Sequence, residues 1–479
     1  MSKNIRYPLK AVFFVLLLSV ISCKKVPEPE ITSQANPKSV AQTSSIVTYA
    51  RDNTTSVTKL DCTPGYTMTI VYSIGPLTVQ AGDVVTAHMQ RELTYSGSAH
   101  VMYSAGILIA TSPSATTNTS SGYLGMASPF AGNNLYTAKE GNIAIVSRNG
   151  SFQFTQASSS VYINAVFYGA TLGEGIDMDL PVGNNYGELV AVVERGVTRY
   201  SSTAHHTPFV TGYGYTVPLG GTQYVDNSVG PITIPPYTMV DVRYQNEITS
   251  DDDMGTALLR IGRKTIYTSS ASSTTGVNLT SPSQVGMLKY TRHLTASHAG
   301  GAYFASSGAT DAYFNSILWA YDANGFPPLL ENGGSANYLY GNYSVELRPY
   351  VYFAQDLTRN ITAVDATERV LYSVGPLDIA ANQVVEVRYV GSFGAPASIL
   401  PFRSRIVRAT SPTAVTGVTV QSQLYRKYGP SYMYNQATHS TAERPATAQT
   451  GQYYNVVVSL PSGGSLPVMD WGELEVIKR

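Results

Sequence analysis

Three stretches decide the fold: YSIGPLTVQAGDVVTAHMQ from Tyr72 to Gln90, DNSVGPITIPPYTMVDVRYQ from Asp226 to Gln245, and YSVGPLDIAANQVVEVRYV from Tyr372 to Val390. They align without a gap, with Gly75-Pro76, Gly230-Pro231 and Gly375-Pro376 in register. After each Gly-Pro pair, Val85, Ala87 and Met89 match Val240, Val242 and Tyr244, then Val385, Val387 and Tyr389, at a spacing of two. The residues between them are polar: Thr86 and His88, Asp241 and Arg243, Glu386 and Arg388. One apolar and one polar face at period two is the pattern of a strand whose sheet covers a core on one side. On that pattern the Asp241/Arg243 and Glu386/Arg388 pairs are surface charges worth under about 1 kcal/mol each.

Two further landmarks follow in each copy. Tyr162-Ile163-Asn164, Tyr313-Phe314-Asn315 and Tyr453-Tyr454-Asn455 each lead into an apolar run, and YGELVAVV from Tyr186, YSVELRPYV from Tyr343 and WGELEVIK from Trp471 close the copies. Three landmarks in one order, three times, mark an internal repeat. The asparagine has a structural reading, its side-chain amide satisfying backbone groups of a neighbouring loop. The closing segment reads as a strand central to its sandwich. Turn residues are frequent, β-branched and aromatic residues abundant, and apolar residues at helical spacing are lacking. The expectation is an all-β fold of three tandem β-sandwich, jelly-roll-like repeats over 49–198, 199–353 and 354–479. Whether they sit as beads or close around a common axis is open.

Composition narrows the function classes. Only 13% of the 479 residues are charged, against about 25% in ordinary soluble proteins, so the surface must be built from Ser, Thr, Asn and Tyr. The 31 basic and 31 acidic side chains cancel, which leaves no bulk attraction for nucleic acid.

The N-terminus carries an address. Lys3, Arg6 and Lys10 precede an apolar run from Ala11 to Ile21, shorter than the roughly 18 residues of a spanning helix and typical of a secretory signal over 1–22. At its end, Val20-Ile21-Ser22-Cys23 resembles the lipobox of bacterial lipoproteins. The resemblance implies cleavage before Cys23, lipid on its sulfur and its new amine, and so a membrane as partner, because several acyl chains on one residue anchor stably. Lys24 after the cysteine implies outer-membrane sorting, facing either the periplasm or the cell surface. Residues 23–48 read as a lipidated, flexible tether. With Cys23 acylated, Cys62, the other of the 2 cysteines, has no disulfide partner within the chain.

Motifs for chemistry are lacking. There is no nucleophile elbow, phosphate-cradling loop or dinucleotide fingerprint. His293 and His298 are poorly spaced for zinc, His205-His206 falls at a unit junction, and Asp251-Asp252-Asp253 lacks the spaced oxygen ligands of a calcium loop, so no metal or cofactor is expected. His298 and His439 stand 17 and 16 residues before their Y-x-N asparagines, with Ser147 at the matching place in the first copy. They are candidate ligand contacts, or polar positions on an exposed strand or loop. Tyrosine is the outstanding residue, 35 against 13 Phe and 2 Trp, and its flat face with one hydroxyl suits sugars and protein partners alike. Tyr428 and Tyr432, in YRKYGPSYMY, are the ligand-binding candidates drawn from it. Together these features lead to a membrane-anchored lipoprotein with a non-catalytic binding or adhesion role toward a glycan or surface protein. The alternatives are a structural or assembly lipoprotein of the envelope, and a secreted glycan hydrolase.

Overall fold

The computed structural model describes residues 45–55, 57–60, 67–95, 101–116, 123–124, 142–171, 178–179, 187–202, 210–211, 214–216, 220–249, 259–280, 283–287, 293–305, 308–322, 329–331, 341–394, 400–421, 424–428, 434–461 and 463–479. Among them every regular element is a strand, and every strand pairing is antiparallel. In chain order the first eight principal strands are β1 Ser45–Asp52, β2 Thr67–Val79, β3 Val84–Tyr95, β4 Val101–Ala110, β5 Tyr123–Leu124, β6 Asn142–Gln153, β7 Ser158–Thr171 and β8 Gly187–Arg195. Next come β9 Thr198–Ser202, β10 Tyr224–Ile234, β11 Thr238–Thr249, β12 Leu259–Thr268, β13 Val277–Asn278, β14 His293–Phe304, β15 Ala309–Asp322 and β16 Gly341–Pro349. The last are β17 Tyr352–Asp356, β18 Arg369–Ile379, β19 Val385–Gly394, β20 Leu400–Ala409, β21 Val418–Thr419, β22 Tyr434–Glu443, β23 Gln449–Ser459 and β24 Leu466–Lys478.

The first set forms sheets ordered β1-β8-β3-β6 and β2-β7-β4-β5, the second β9-β16-β11-β14 and β10-β15-β12-β13, the third β17-β24-β19-β22 and β18-β23-β20-β21. Eight strands split in this order are the double Greek key of a jelly roll. Each closing strand, β8, β16 or β24, lies between the first and third strands of its set. Each sandwich has a core from the apolar faces of both sheets, for example Val85, Ala87, Ile107 and Ile163 in the first, Val240, Val242 and Phe314 in the second, and Val385, Val387, Tyr454 and Val456 in the third.

The landmarks recur because they touch one another. The three Gly-Pro bonds are cis, and a Cβ on Gly75, Gly230 or Gly375 would come within 2.6, 2.8 or 2.7 Å of the ring of Tyr162, Tyr313 or Tyr453, so only glycine fits against the Y-x-N tyrosine. The asparagines are fully buried and do what the sequence suggested. Asn164 Nδ2 donates to the carbonyls of Ser112 and Ala115, Asn315 to Ser270 and Ser273, Asn455 to Ser411 and Ala414, all at 2.8–3.0 Å. Their Oδ1 atoms accept from the hydroxyls of Ser73, Ser228 and Ser373 at 2.7 Å.

One alignment shifts. In the pairing register Leu189 opposes Met89, Tyr343 opposes Tyr244, and Leu474 opposes Tyr389. Gly341 therefore corresponds to Gly187 and Gly472, and the second closing segment is three residues out of place when begun at Tyr343. The glycine fixes the position: a Cβ at Gly187 or Gly472 would run into the neighbouring strand and the hydroxyl of Tyr72 or Tyr372.

Consecutive sandwiches are joined by two residues, Gly196-Val197 and Tyr350-Val351, too short for beads on linkers. The first strand also starts early, Ser45–Thr48 of the expected tether being part of β1. Ser45 lies opposite Arg195, and Val84 opposite Glu194, at the end of the sandwich closed by the short turns 80–83 and 154–157. The opposite end, where Tyr95 faces Asn142 and Val101 faces Thr171, emits the longer connections, among them 125–141 and 172–186.

Candidate functional site

The polar face of the central strands is not surface. Asp241 and Glu386 have no solvent exposure, and Arg243 and Arg388 have 2% and 3%. The expectation of exposed strand charges is thus overturned, because the sheets that carry them turn their outer faces toward one another. Residues at matched register positions meet there in layers.

Glu194, Arg348 and Arg479 form the first layer, with Arg348 Nε at 3.0 Å and Arg479 Nη1 at 2.6 Å from Glu194 Oε2. Thr86, Asp241 and Glu386 form the second. Arg348 reaches it by donating from Nη1 to Asp241 at 2.7 Å and from Nη2 to Thr86 at 3.2 Å, and Arg479 pairs with Glu386. His88, Arg243 and Arg388 form the third: Arg243 donates to Asp241 at 2.6 Å and to Glu386 at 3.0 Å, Arg388 to Asp241 at 2.5 Å, and His88 Nε2 lies 3.1 Å from Glu386. Glu346 joins by accepting from Arg348 at 2.7 Å, and Glu475 by pairing with Arg388 Nε at 3.0 Å and accepting from the Gly301 N–H at 2.9 Å.

These bonds link all three sandwiches pairwise. The second and third exchange Arg243–Glu386 and Arg388–Asp241, the first and second share Arg348–Glu194, and the first and third share Arg479–Glu194. Small apolar patches seal the rims: Val190, Val192, Val384 and Ala442 between first and third, and Met239, Val351 and Ile477 between second and third. Gln90 Nε2 also donates to the Thr438 carbonyl at 2.7 Å, and Thr441 Oγ1 to Glu188 at 2.5 Å.

The electrostatics follow from burial. Desolvation opposes ionisation of Asp241, but Arg243, Arg388 and Arg348 overcome it and hold the carboxyl well below its usual range; Glu346 is lowered in the same way by Arg348 and Arg243. Glu475 is pushed up to about 8 by burial, with Glu473 and Asp241 adding to the rise against the pull of Arg388. His88 is held far below 6.5, first by desolvation and then by Arg243, Arg479 and Arg388, so it is neutral at physiological pH. Charges fixed by this many partners are poor acids and bases for a substrate. The arrangement is a lock between sandwiches.

The residues singled out from the sequence are scattered. His439 is 2% exposed, its Nε2 2.6 Å from the Ser404 hydroxyl and its ring stacked on Tyr389 at 5.7 Å, so it is an interior residue of the third sandwich and not a position on an exposed strand or loop. Its register partner in the first copy is Arg148, opposite Met89, rather than Ser147. His298 takes the equivalent place in β14, opposite Tyr244. Tyr428 ends a short strand opposite Leu400, at the end of the third sandwich that carries its longer loops. Cys23, Cys62, His205, His206, Asp251–Asp253 and Tyr432 lie outside the described residues. Among the described residues no group of His, Cys, Asp and Glu could hold a metal ion, and no helix is long and apolar enough to cross a membrane.

No family model and no curated protein matches the chain. One solved structure, described as "The Triple Jelly Roll Fold and Turret Assembly in an Archaeal Virus", is similar over 91% of this chain and 89% of that one, at 8% identity and a TM-score of 0.15, too low to bear on function.

Proposed function

We propose that this protein is a membrane-anchored lipoprotein whose locked three-sandwich head has a non-catalytic binding or adhesion role toward a glycan or a surface protein. The observation that carries the reading is the polarity of the first sandwich. The chain enters it at Ser45, at the short-turn end, while the longer connections leave from the other end. A lipid on Cys23 would attach the chain through the short-turn end and leave the end from which the longer connections depart away from the anchor point, and binding residues are commonly carried on loops of a scaffold. The axial lock supports this, since strands of all three sandwiches run past the same layers and their long-loop ends share one direction.

Two measurements test it. Metabolic labelling with palmitate should mark the wild-type protein and not Cys23→Ala, and protease treatment of intact cells should remove the wild-type protein. Binding of the full-length, detergent-solubilised protein to a glycan array or to surface protein should fall about tenfold or more with Tyr428→Ala or Tyr432→Ala, at unchanged melting temperature. Val418→Ser, at the short-turn end, should leave binding intact. A Cys23→Ala protein that still takes up label, or binding that responds to Val418 and not to the tyrosines, refutes the proposal.

A further inference from the structure

The axial lock and the landmarks are common to the three sandwiches, so a position where one copy departs from the other two is informative. The interior of the second sandwich departs at several adjoining positions. In the pairing registers, Val71 and Leu371 correspond to Asp226, Tyr72 and Tyr372 to Asn227, Ala105 and Ser404 to Arg263, and Leu189 and Leu474 to Tyr343. Aliphatic, tyrosine and small residues in the first and third copies are replaced in the second by an acid, an amide, a guanidinium and a phenol.

Arg263 is the centre of this change. It is 4% exposed, and among the described residues Nε, Nη1 and Nη2 have no hydrogen-bond partner. Its guanidinium lies over the Tyr244 ring, 4.2 Å from the centroid, and the Tyr244 hydroxyl donates to Asp226. The Tyr343 hydroxyl, fully buried beside Tyr244 with ring centroids 5.9 Å apart, is also without a partner among the described residues. Stacking on a phenol ring contributes far less than a buried cation loses on leaving water. A planar fork with no N–H matched among the described residues is built for a bidentate oxyanion, and Tyr343, packed against the same Tyr244 ring, offers a second donor. The position is not remote: Arg263 is in the fifth residue of β12, which begins at the long-loop end of the sandwich, where Leu259 faces Asp322.

We infer that the interior of the second sandwich is a binding site for a small molecule bearing a carboxylate or phosphate, with Arg263 as its charge partner and Tyr343 as a second donor. The site is separate from the proposed contacts at Tyr428 and Tyr432 and does not depend on them.

The test is calorimetric and thermal titration of the full-length protein with inorganic phosphate, acetate and glycolate, at matched chloride. At least one probe is expected to bind and to raise the melting temperature by several degrees at a hundredfold excess over its dissociation constant; which probe does so separates a phosphate from a carboxylate ligand. Tyr343→Phe, which removes a hydroxyl unbonded in the empty protein, should weaken that binding about tenfold without lowering the melting temperature. Arg263→Met should abolish it and melt no lower than wild type, because it removes a buried cation that has no hydrogen-bond partner among the described residues. No heat and no thermal shift with any probe at 50 mM (on the order of the weakest useful affinity) overturns the inference. So does a lower melting temperature for Arg263→Met matched by Asp251→Asn/Asp252→Asn/Asp253→Asn, which would assign the guanidinium to that acidic run.

Discussion

Replacing Asp241 by Asn tests the axial lock at its most connected atom pair. The carboxylate has no solvent exposure and accepts from Arg243 at 2.6 Å, Arg348 at 2.7 Å and Arg388 at 2.5 Å. Asparagine keeps the shape but withdraws the charge from three guanidiniums and turns one oxygen into a donor facing them. Breaking a buried pair by removing one partner costs about 3–5 kcal/mol, and a single anion shared by three cations puts the cost near 4 kcal/mol. At about 2.1 cal/mol/K per residue, the body from residue 45 to 479 has an unfolding entropy of roughly 0.9 kcal/mol/K, so the melting temperature should fall by about 4 °C if it unfolds as one unit. If the second sandwich melts alone, its smaller entropy of roughly 0.3 kcal/mol/K makes the fall about 12 °C, with the other transitions unmoved. Scanning calorimetry separates the two. Because the carboxyl is held below 3.8 in the fold, its contribution is fully present above that value and is lost only as pH falls through the lower folded range, so the difference between variant and wild type should be constant from about pH 5 to 9. A shift below about 1 °C at neutral pH would mean that the charge is compensated elsewhere and that the lock does not hold the sandwiches together.

Glu475→Gln should act through pH. A carboxyl raised to about 8 in the fold takes up a proton on folding, so the wild type loses stability as pH rises from about 4.5 to 8, and the variant should be flatter in denaturant midpoint over that window and the more stable at pH 9. Asn315→Ala strips two backbone carbonyls and the Ser228 hydroxyl of their partner and should cost about 2–4 kcal/mol in urea unfolding, at or above the cost of any surface alanine in the same sandwich. Gly472→Ala pushes a methyl into the Tyr372 hydroxyl and the Val390 carbonyl and should lower the melting temperature, with partial recovery in Gly472→Ala/Tyr372→Phe; no recovery would place the clash on the backbone alone. Truncation after Asp470 removes most of β24, from between β17 and β19, together with Glu475 and Arg479, and should abolish cooperative melting of the third sandwich.

The scaffold was legible because its signals are local. Val385, Val387 and Tyr389 at period two, a glycine that must lie against a tyrosine ring, and an asparagine that ties a turn each act within one strand pair, and each repeats. The lock was not legible, because period two only separates one face from the other. It cannot say whether the polar face of Asp241 and Arg243 meets water or the polar face of another sheet. A usable signal was present in the partner strand: Glu346 and Arg348 stand beside Asp241 and Arg243, and Glu473 and Glu475 beside Glu386 and Arg388, which concentrates charge in a chain where only 13% of residues carry any. The three-residue slip at Tyr343 has a similar origin. An aromatic residue drew the alignment, whereas the close approach of backbone at Gly341 sets the register. His439 was misplaced because a histidine between polar neighbours gives no sign that its ring is stacked on Tyr389 inside the sandwich.

Divergence among the copies is what allows the sandwiches to close on one another. Three identical copies meeting at matched positions would bring three like charges into each layer, which buried groups do not tolerate without neutralising. Here Glu194 meets Arg348 and Arg479, Thr86 meets Asp241 and Glu386, and His88, held neutral, meets Arg243 and Arg388. Arg348 and Arg479 pair with Glu194 within their own layer, and arginines also reach carboxylates of the neighbouring layer: Arg348 in Asp241, Arg243 in Glu386, Arg388 in Asp241. The first sandwich supplies the uncharged member of two layers, and that substitution keeps the central charges in balance. A charged arrangement of this kind contributes less to stability than a hydrophobic one would, but it penalises every wrong order of the three bodies by leaving an ion unpaired. With linkers of two residues and charges that match in one order only, the three sandwiches are fastened to one another through their central strands and not merely through their connections.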